Sequence, residues 1–294
     1  MLLDYHLHLW PHHTAAVDQT VENLAAFCSE AAAAGVVEIA LTEHLFRFRQ
    51  ADALLQGWWN DDPDAAMRAT MARYWDEHVD ADLDAYVDVV LAARRAGLPV
   101  VLGLEVDHYR GRMDRVARLL SGYPFDVLLG SVHWIGAWGF DLLEVPVALA
   151  QWELRDVEVV WDAYTRDLEE LAASGTVDVL AHPDLVKVAG HRPAVPDEFH
   201  DRMAEAAARA GLAAEVSSAG LRKPAAEVYP APALLARFQA AGVPVTTASD
   251  AHGLGTVADR AGHLATVLDR AGYGSVTAFS ARRPYPVALG HLVP

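Results

Sequence analysis

Leu3-Asp4-Tyr5-His6-Leu7-His8 is an apolar run of strand length that closes on histidines. His6 and His8 lie two residues apart, and side chains alternate along a strand, so both rings point to one side. Six further runs carry a histidine or a carboxylate at or near their ends. They read Ile39-Ala40-Leu41-Thr42-Glu43-His44, Val101-Leu102-Gly103-Leu104-Glu105, Leu128-Leu129-Gly130-Ser131-Val132-His133, Val179-Leu180-Ala181-His182, Ala214-Glu215-Val216-Ser217-Ser218 and Thr247-Ala248-Ser249-Asp250-Ala251-His252. Imidazole nitrogens and carboxylate oxygens suit zinc, iron and manganese. Such groups at successive strand ends are the pattern of a barrel that gathers ligands on the C-terminal face of its sheet.

Working outward, the strands are expected at 2–8, 36–43, 99–106, 126–133, 177–182, 213–217 and 244–249. Amphipathic stretches near 18–34, 65–96, 112–121, 153–174, 197–210, 230–241 and 257–271 lie between or after them. Alternation of strand and helix predicts an α/β fold with a parallel sheet and helices outside. Seven units predict a barrel one unit short of eight. An open doubly wound sheet is the alternative, but it would struggle to bring seven strand ends to one point. Gly35, Gly97, Gly175, Gly211 and Gly242 each sit between a helix and the next strand and read as helix C-caps. Two connections are long, Leu45 to about Asp64 with Trp58 and Trp59, and Trp134 to about Gln151 with Trp138 and Phe140. Both follow a ligand candidate and are expected to wall or cover the site.

The 294 residues are 53% hydrophobic, enough for one sizeable core, and no Ser/Gly/Pro-rich linker divides them, so 1–294 reads as a single domain. The formal net charge of -17 makes the chain a poor general binder of nucleic acid. Cys28 is the one cysteine, which excludes an intrachain disulfide and a thiolate cluster; it reads as a small core residue. The first residues form a strand rather than a signal peptide, and no apolar run reaches membrane-spanning length. A cytoplasmic protein with no membrane partner is the expectation, and the oligomeric state is left open.

The ordered motifs DYHLHLWPH, LTEH, GLEVD, GSVH, AHPD and SDAH resemble the PHP (polymerase and histidinol phosphatase) superfamily, and most of all its histidinol-phosphatase branch. The resemblance covers residues 2 to about 257. It implies a distorted seven-stranded (β/α)7, TIM-like barrel with a trinuclear centre of zinc, iron or manganese, so two to three divalent ions are expected. By the resemblance, His6, His8, Glu105 and Asp250 hold one ion, and Glu105 bridges to a second held by His133 and His182. A third takes His44, His252 and a histidine soon after the first pair. Thr14 occupies the usual position of that last ligand, leaving His12 and His13, of which His12 is favoured. Glu43 replaces a more familiar aspartate and is expected to orient a neighbouring imidazole. The implied activity is hydrolysis of L-histidinol phosphate, a step of histidine biosynthesis, by a metal-bound hydroxide and without a protein nucleophile.

A phosphorylated substrate also needs cations outside the metal ligands. Arg222, beside Lys223 in the loop after the sixth strand, is the first candidate, with Lys187, Arg47 and Arg192 behind it. Glu215 is either a support behind a ligand or a partner for a substrate amine, and Asp141 and Glu144 in the fourth loop are alternatives for the amine. His78, His200 and His263 lie on helical patterns and are expected to be exposed, and His108 is ambiguous. The segment 275–294 is expected to wrap the bottom or edge of the barrel. Competing functions are a phosphatase for another small ester, a phosphodiesterase or nuclease, and a non-catalytic metal-binding scaffold.

Overall fold

The structure, a computed structural model, describes residues 1–12 and 14–289. His13 and His291 lie outside the described residues. The barrel strands are β1 (Leu2–Leu7), β2 (Val36–Leu41), β3 (Val100–Asp107) and β4 (Val127–Ser131), then, beyond a small hairpin of β5 (Trp134–Ile135) and β6 (Trp138–Gly139), β7 (Val179–Leu180), β8 (Ala213–Ser217) and β9 (Val245–Ala248). They form one parallel sheet in the order β1-β2-β3-β4-β7-β8-β9. β9 then meets β1. Thr247 Oγ1 donates to the Leu3 carbonyl at 2.6 Å, and the His8 N–H donates to the Ala251 carbonyl at 2.8 Å. The ring is therefore a nearly closed seven-stranded barrel, with its irregular seam between first and last strand.

β1, β3, β4, β8 and β9 are buried along their whole lengths, as expected of parallel strands covered on both faces. The main outer helices are α1 (Val21–Ala33), α2 (Arg49–Leu55), α3 (Ala65–His78), α4 (Leu83–Arg95) and α5 (Met113–Leu120). After the short α6 (Pro146–Leu149) and α7 (Gln151–Leu154) come α8 (Val157–Ala173), α9 (Asp197–Ala210), α10 (Pro232–Ala240) and α11 (Ala261–Ala271). Among the described residues no helix is long and apolar enough to cross a membrane. Gly211 closes α9 at φ +67°, a left-handed turn that a Cβ would strain. Cys28 is buried on α1.

The structure departs from the sequence expectations at several points. The pattern at 65–96 is two helices, because the Asp82 carboxylate caps a new one by accepting the Asp84 and Ala85 N–H groups. Ahead of it, the N–H groups of Asp80 and Ala81 turn back to the Arg47 carbonyl. His78 and His200 are buried, not exposed, because both helices press these positions against aromatic neighbours on other elements, Phe46 and Trp161 respectively. The segment after 275 is an antiparallel hairpin, β10 (Ser275–Ser280) and β11 (Arg283–Ala288). Its turn residue Arg282 binds Asp126, Thr176 and Asp178 at the starts of β4 and β7, so it underpins the barrel bottom. At the other end the two long connections pack together. The rings of Trp58 and Trp134 lie 4.8 Å apart, and Asp62 Oδ2 accepts the Ala137 N–H at 2.7 Å.

Candidate metal centre

The strand ends bring His6, His8, His44, Glu105, His133, His182, Asp250 and His252 to one point, with His12 beside them. Glu105, on β3, lies at the middle. Its Oε2 is 3.2 Å from His6 Nε2, 3.5 Å from His8 Nε2 and 2.8 Å from His44 Nδ1. Its Oε1 is 3.1 Å from His182 Nε2 and 3.5 Å from His133 Nε2. Asp250 Oδ1 stands 3.5 Å from His8 Nε2 and 3.9 Å from His6 Nε2. The ring of His252 stacks on His8 at 4.0 Å and on His12 at 3.7 Å.

Although buried, His6 Nε2, both nitrogens of His8 and His44, His252 Nε2 and Glu105 Oε2 make no hydrogen bond. Such orphaned groups are costly unless something else satisfies them. Ligand atoms lie within 4.8 Å of one another in the sets His6–His8–Asp250, His6–Glu105–His182, His8–His44–His252 and His44–Asp107–His133. Mixed imidazole and carboxylate donors at these separations fit divalent ions. Burial holds the His44 and His252 imidazoles well below their ordinary range, so both are neutral and offer lone pairs. Burial works against the charge on Glu105, but His6 first and then His133 outweigh it and hold its carboxyl well below the usual carboxylate range.

Further carboxylates orient the rings from behind. Glu215 Oε2 is 2.7 Å from His6 Nδ1, and its Oε1 accepts the His182 N–H at 3.3 Å. It is fully buried and engaged, which fits a support behind His6 and not a contact to a substrate amine. Asp107 Oδ1 sits 2.5 Å from His133 Nδ1. Burial pushes the His133 imidazole down, but Asp107 and Glu105 raise it to about 10. The sequence reading did not single out Asp107. Its signal was present, since it follows Glu105 by two residues and shares its side of the strand, the same logic that pairs His6 with His8. Glu43 Oε1 accepts the N–H groups of Leu9 and Trp10, and its Oε2 lies 3.6 Å from His8 Nδ1. Two candidate ligand positions take a strained backbone, His182 at φ +26° and Asp250 at φ +52°. Such geometry costs on the order of 1–3 kcal/mol per residue and persists where the surroundings impose it.

Above the cluster opens a cavity of about 220 Å³. His12, His44, His133, His182, Asp250 and His252 line its floor, and Phe46, Tyr74, Trp134, Asp141, Glu144, Lys223 and Tyr229 are among its walls. Burial raises the Asp141 carboxyl, against the pull of His133 and Lys223.

The expected phosphate cations are each held by acceptors of the chain itself. Lys187 is fully buried, with its ammonium 2.8 Å from both Asp184 Oδ2 and Glu227 Oε2. Arg192 donates to the Ala225 carbonyl and to Glu227, and with Lys187 lines a separate depression. Arg47 is buried against the carbonyls of Pro11 and Thr14. Arg222 is not among the cavity residues. It pairs with Asp259 at 2.8 Å and donates to the carbonyls of Ser249 and Asp250, bracing the segment that carries Asp250 and His252. In each case a nearby carbonyl or carboxylate captures the cation first. Lys223, the neighbour of Arg222, is the lysine that reaches the cavity. His108 is buried beside Asp167 and Glu170, away from this cluster.

A profile of the PHP domain matches residues 4–219. The chain belongs to the PHP domain family. It is 40% identical over 164 residues to the probable histidinol-phosphatase of Deinococcus radiodurans, a match covering 55% of this chain and 61% of that protein. The match thus spans less than two thirds of that relative. The fold resembles that of the histidinol phosphate phosphatase of Lactococcus lactis, solved with zinc, L-histidinol and phosphate. The TM-score is 0.66 at 19% identity, covering 97% of this chain and 98% of the other. A structure from Listeria monocytogenes matches with TM-score 0.71 at 16% identity, over 89% and 99% of the two chains. At these identities both likenesses are of fold.

Proposed function

We propose that the chain is a metal-dependent phosphomonoesterase acting on L-histidinol phosphate. The observation that carries this reading is the cluster of unpartnered imidazole nitrogens and carboxylate oxygens under an open cavity with a carboxylate-bearing wall. His6, His8, Glu105 and Asp250 would hold one ion, Glu105 with His133 and His182 a second, and His44, His252 and His12 a third. Zinc, iron and manganese all suit these donors. Ions held there supply concentrated positive charge for phosphoryl oxygens and make water acidic enough to serve as a nucleophile near neutral pH.

The chain's own residues bind and orient. Lys223 meets the phosphate from the wall of the cavity. Asp141 and Glu144, on the loop after β6, face the same space and suit an ammonium group. Tyr74, Phe46 and Trp134 offer flat faces to an imidazole ring. Glu215, Asp107 and Glu43 keep the His6 and His133 rings and the backbone after His8 in place. The name of the Deinococcus radiodurans relative and the ligands of the Lactococcus lactis structure support the same substrate.

The second reading is a phosphatase for another small ester, which would share the floor and differ in what Asp141 and Glu144 select. Nuclease activity is disfavoured because Lys223 is the one Lys or Arg among the described cavity residues, and a nucleic-acid backbone needs several. A phosphate-release screen over histidinol phosphate, other small phosphomonoesters, nucleoside monophosphates and single-stranded DNA separates these readings. Histidinol phosphate is expected to give the highest kcat/KM. Equal rates on all monoesters, or cleavage of DNA, would contradict the assignment.

A further inference from the structure

Arg47 lies three residues beyond His44, at the end of the turn Leu45–Arg47, and is 2% exposed. One terminal nitrogen of its guanidinium donates to the Thr14 carbonyl at 2.6 Å, and the other reaches the Pro11 carbonyl at 3.5 Å. In sequence these carbonyls flank the pair His12 and His13. The guanidinium also stands 5.3 Å over the Trp10 ring and 3.6 Å from Asp80 Oδ1. Asp80 completes the clasp by accepting the Ala16 N–H at 2.5 Å. Its own N–H, with that of Ala81, is bound to the Arg47 carbonyl. On the near side Glu43 holds the N–H groups of Leu9 and Trp10. The strand-end segment with His44 is thus tied by one buried cation to the loop carrying His12. That loop places the His12 ring 3.7 Å from His252 and 6.0 Å from His44.

We propose that Arg47 is a positioning residue that holds the loop around His12 so that this imidazole stands ready beside His44 and His252 as the third donor to one ion. The proposal rests on the reading of these three histidines as one ion's ligands. A loop fixed beforehand loses less freedom when its side chain binds a metal, so the clasp raises affinity without touching the ion. The geometry requires arginine. Two carbonyls three residues apart need two separated donors on a planar fork, and an ammonium offers a single point.

The test compares Arg47→Lys, His12→Ala and the double variant, each purified, stripped of metal and titrated with zinc. Ion content is read by elemental analysis and folding by circular dichroism. Each single variant is expected to weaken one ion by roughly 10–100-fold and to leave the other ions bound. The double variant is expected to match His12→Ala, because both changes act through one donor. Loss of an ion in His12→Ala with wild-type binding in Arg47→Lys would overturn the positioning role alone. Unchanged binding in His12→Ala would overturn the ligand reading and the proposal with it. Additive losses in the double variant would show that Arg47 acts elsewhere. Should Arg47→Lys not fold, Asp80→Asn loosens the same clasp while keeping the guanidinium, and wild-type ion binding in that variant overturns the proposal.

Discussion

The two ends of this barrel use carboxylates in opposite ways. At the bottom, Asp126 precedes β4 and accepts from the Arg94 guanidinium and from the N–H groups of Leu102 and Ala281 at 3.1 and 3.0 Å. Asp178 precedes β7 and accepts from Arg282 and from the Leu128 N–H at 2.9 Å. These acceptors are saturated by donors of the chain. At the top, Glu105 and Asp250 are surrounded by imidazoles, and the buried His6 Nε2, His8 Nε2 and His44 Nδ1 beside them make no hydrogen bond. Buried imidazole nitrogens and carboxylate oxygens that face one another without a hydrogen bond are the donors a divalent cation between them would satisfy. The bottom is a finished scaffold, and the top is a set of candidate ligands.

The largest test of this contrast is Glu105→Gln. Loss of the central charge should lower kcat/KM by at least about a hundred-fold and weaken ions on both sides of it. Full ion content and normal phosphate release in this variant would erase the distinction between the two ends. Asp107→Asn is milder, since it acts through His133. We expect ion affinity to fall by roughly 10–100-fold, measured by zinc titration, with secondary structure unchanged.

The sequence made the scaffold and the clustering of the candidate ligands legible for a physical reason. A strand ends where its apolar run ends, and a barrel collects those ends, so position along the run fixes position in space for His6, Glu105, His133 and Asp250. Loop cations were not legible in this way. Arg222 and Lys223 are adjacent, and which of them faces the cavity depends on Asp259 and the Ser249 carbonyl, whose proximity arises only on folding. Arg47 and Lys187 were likewise captured by partners distant in sequence, Asp80 and Glu227. The break within 65–96 had a local sign in Asp82 but needed the contact of residues 80 and 81 with Arg47 to explain it.

Smaller effects sharpen the contrast. Lys223→Ala should weaken inhibition by inorganic phosphate about ten-fold and leave ion content intact, because one exposed ammonium contributes modestly. Unchanged inhibition would remove Lys223 from the phosphate contacts. Asp126→Ala should have the least effect on the site. It leaves the N–H groups of Leu102 and Ala281 unpaired and should cost about 1–3 kcal/mol of stability in denaturant titration. Ion content and turnover per folded molecule should stay at wild-type values, and a loss of bound ions would show that the bottom is not merely scaffold.

The most direct measurement follows ion content and phosphate release together while a chelated sample is reconstituted with a defined divalent metal and assayed on histidinol phosphate. The account predicts two to three ions per chain at saturation, no turnover in the stripped protein, and activity that rises as ions are restored. Saturation at one ion or fewer, or phosphate release that persists in fully stripped protein, would contradict it.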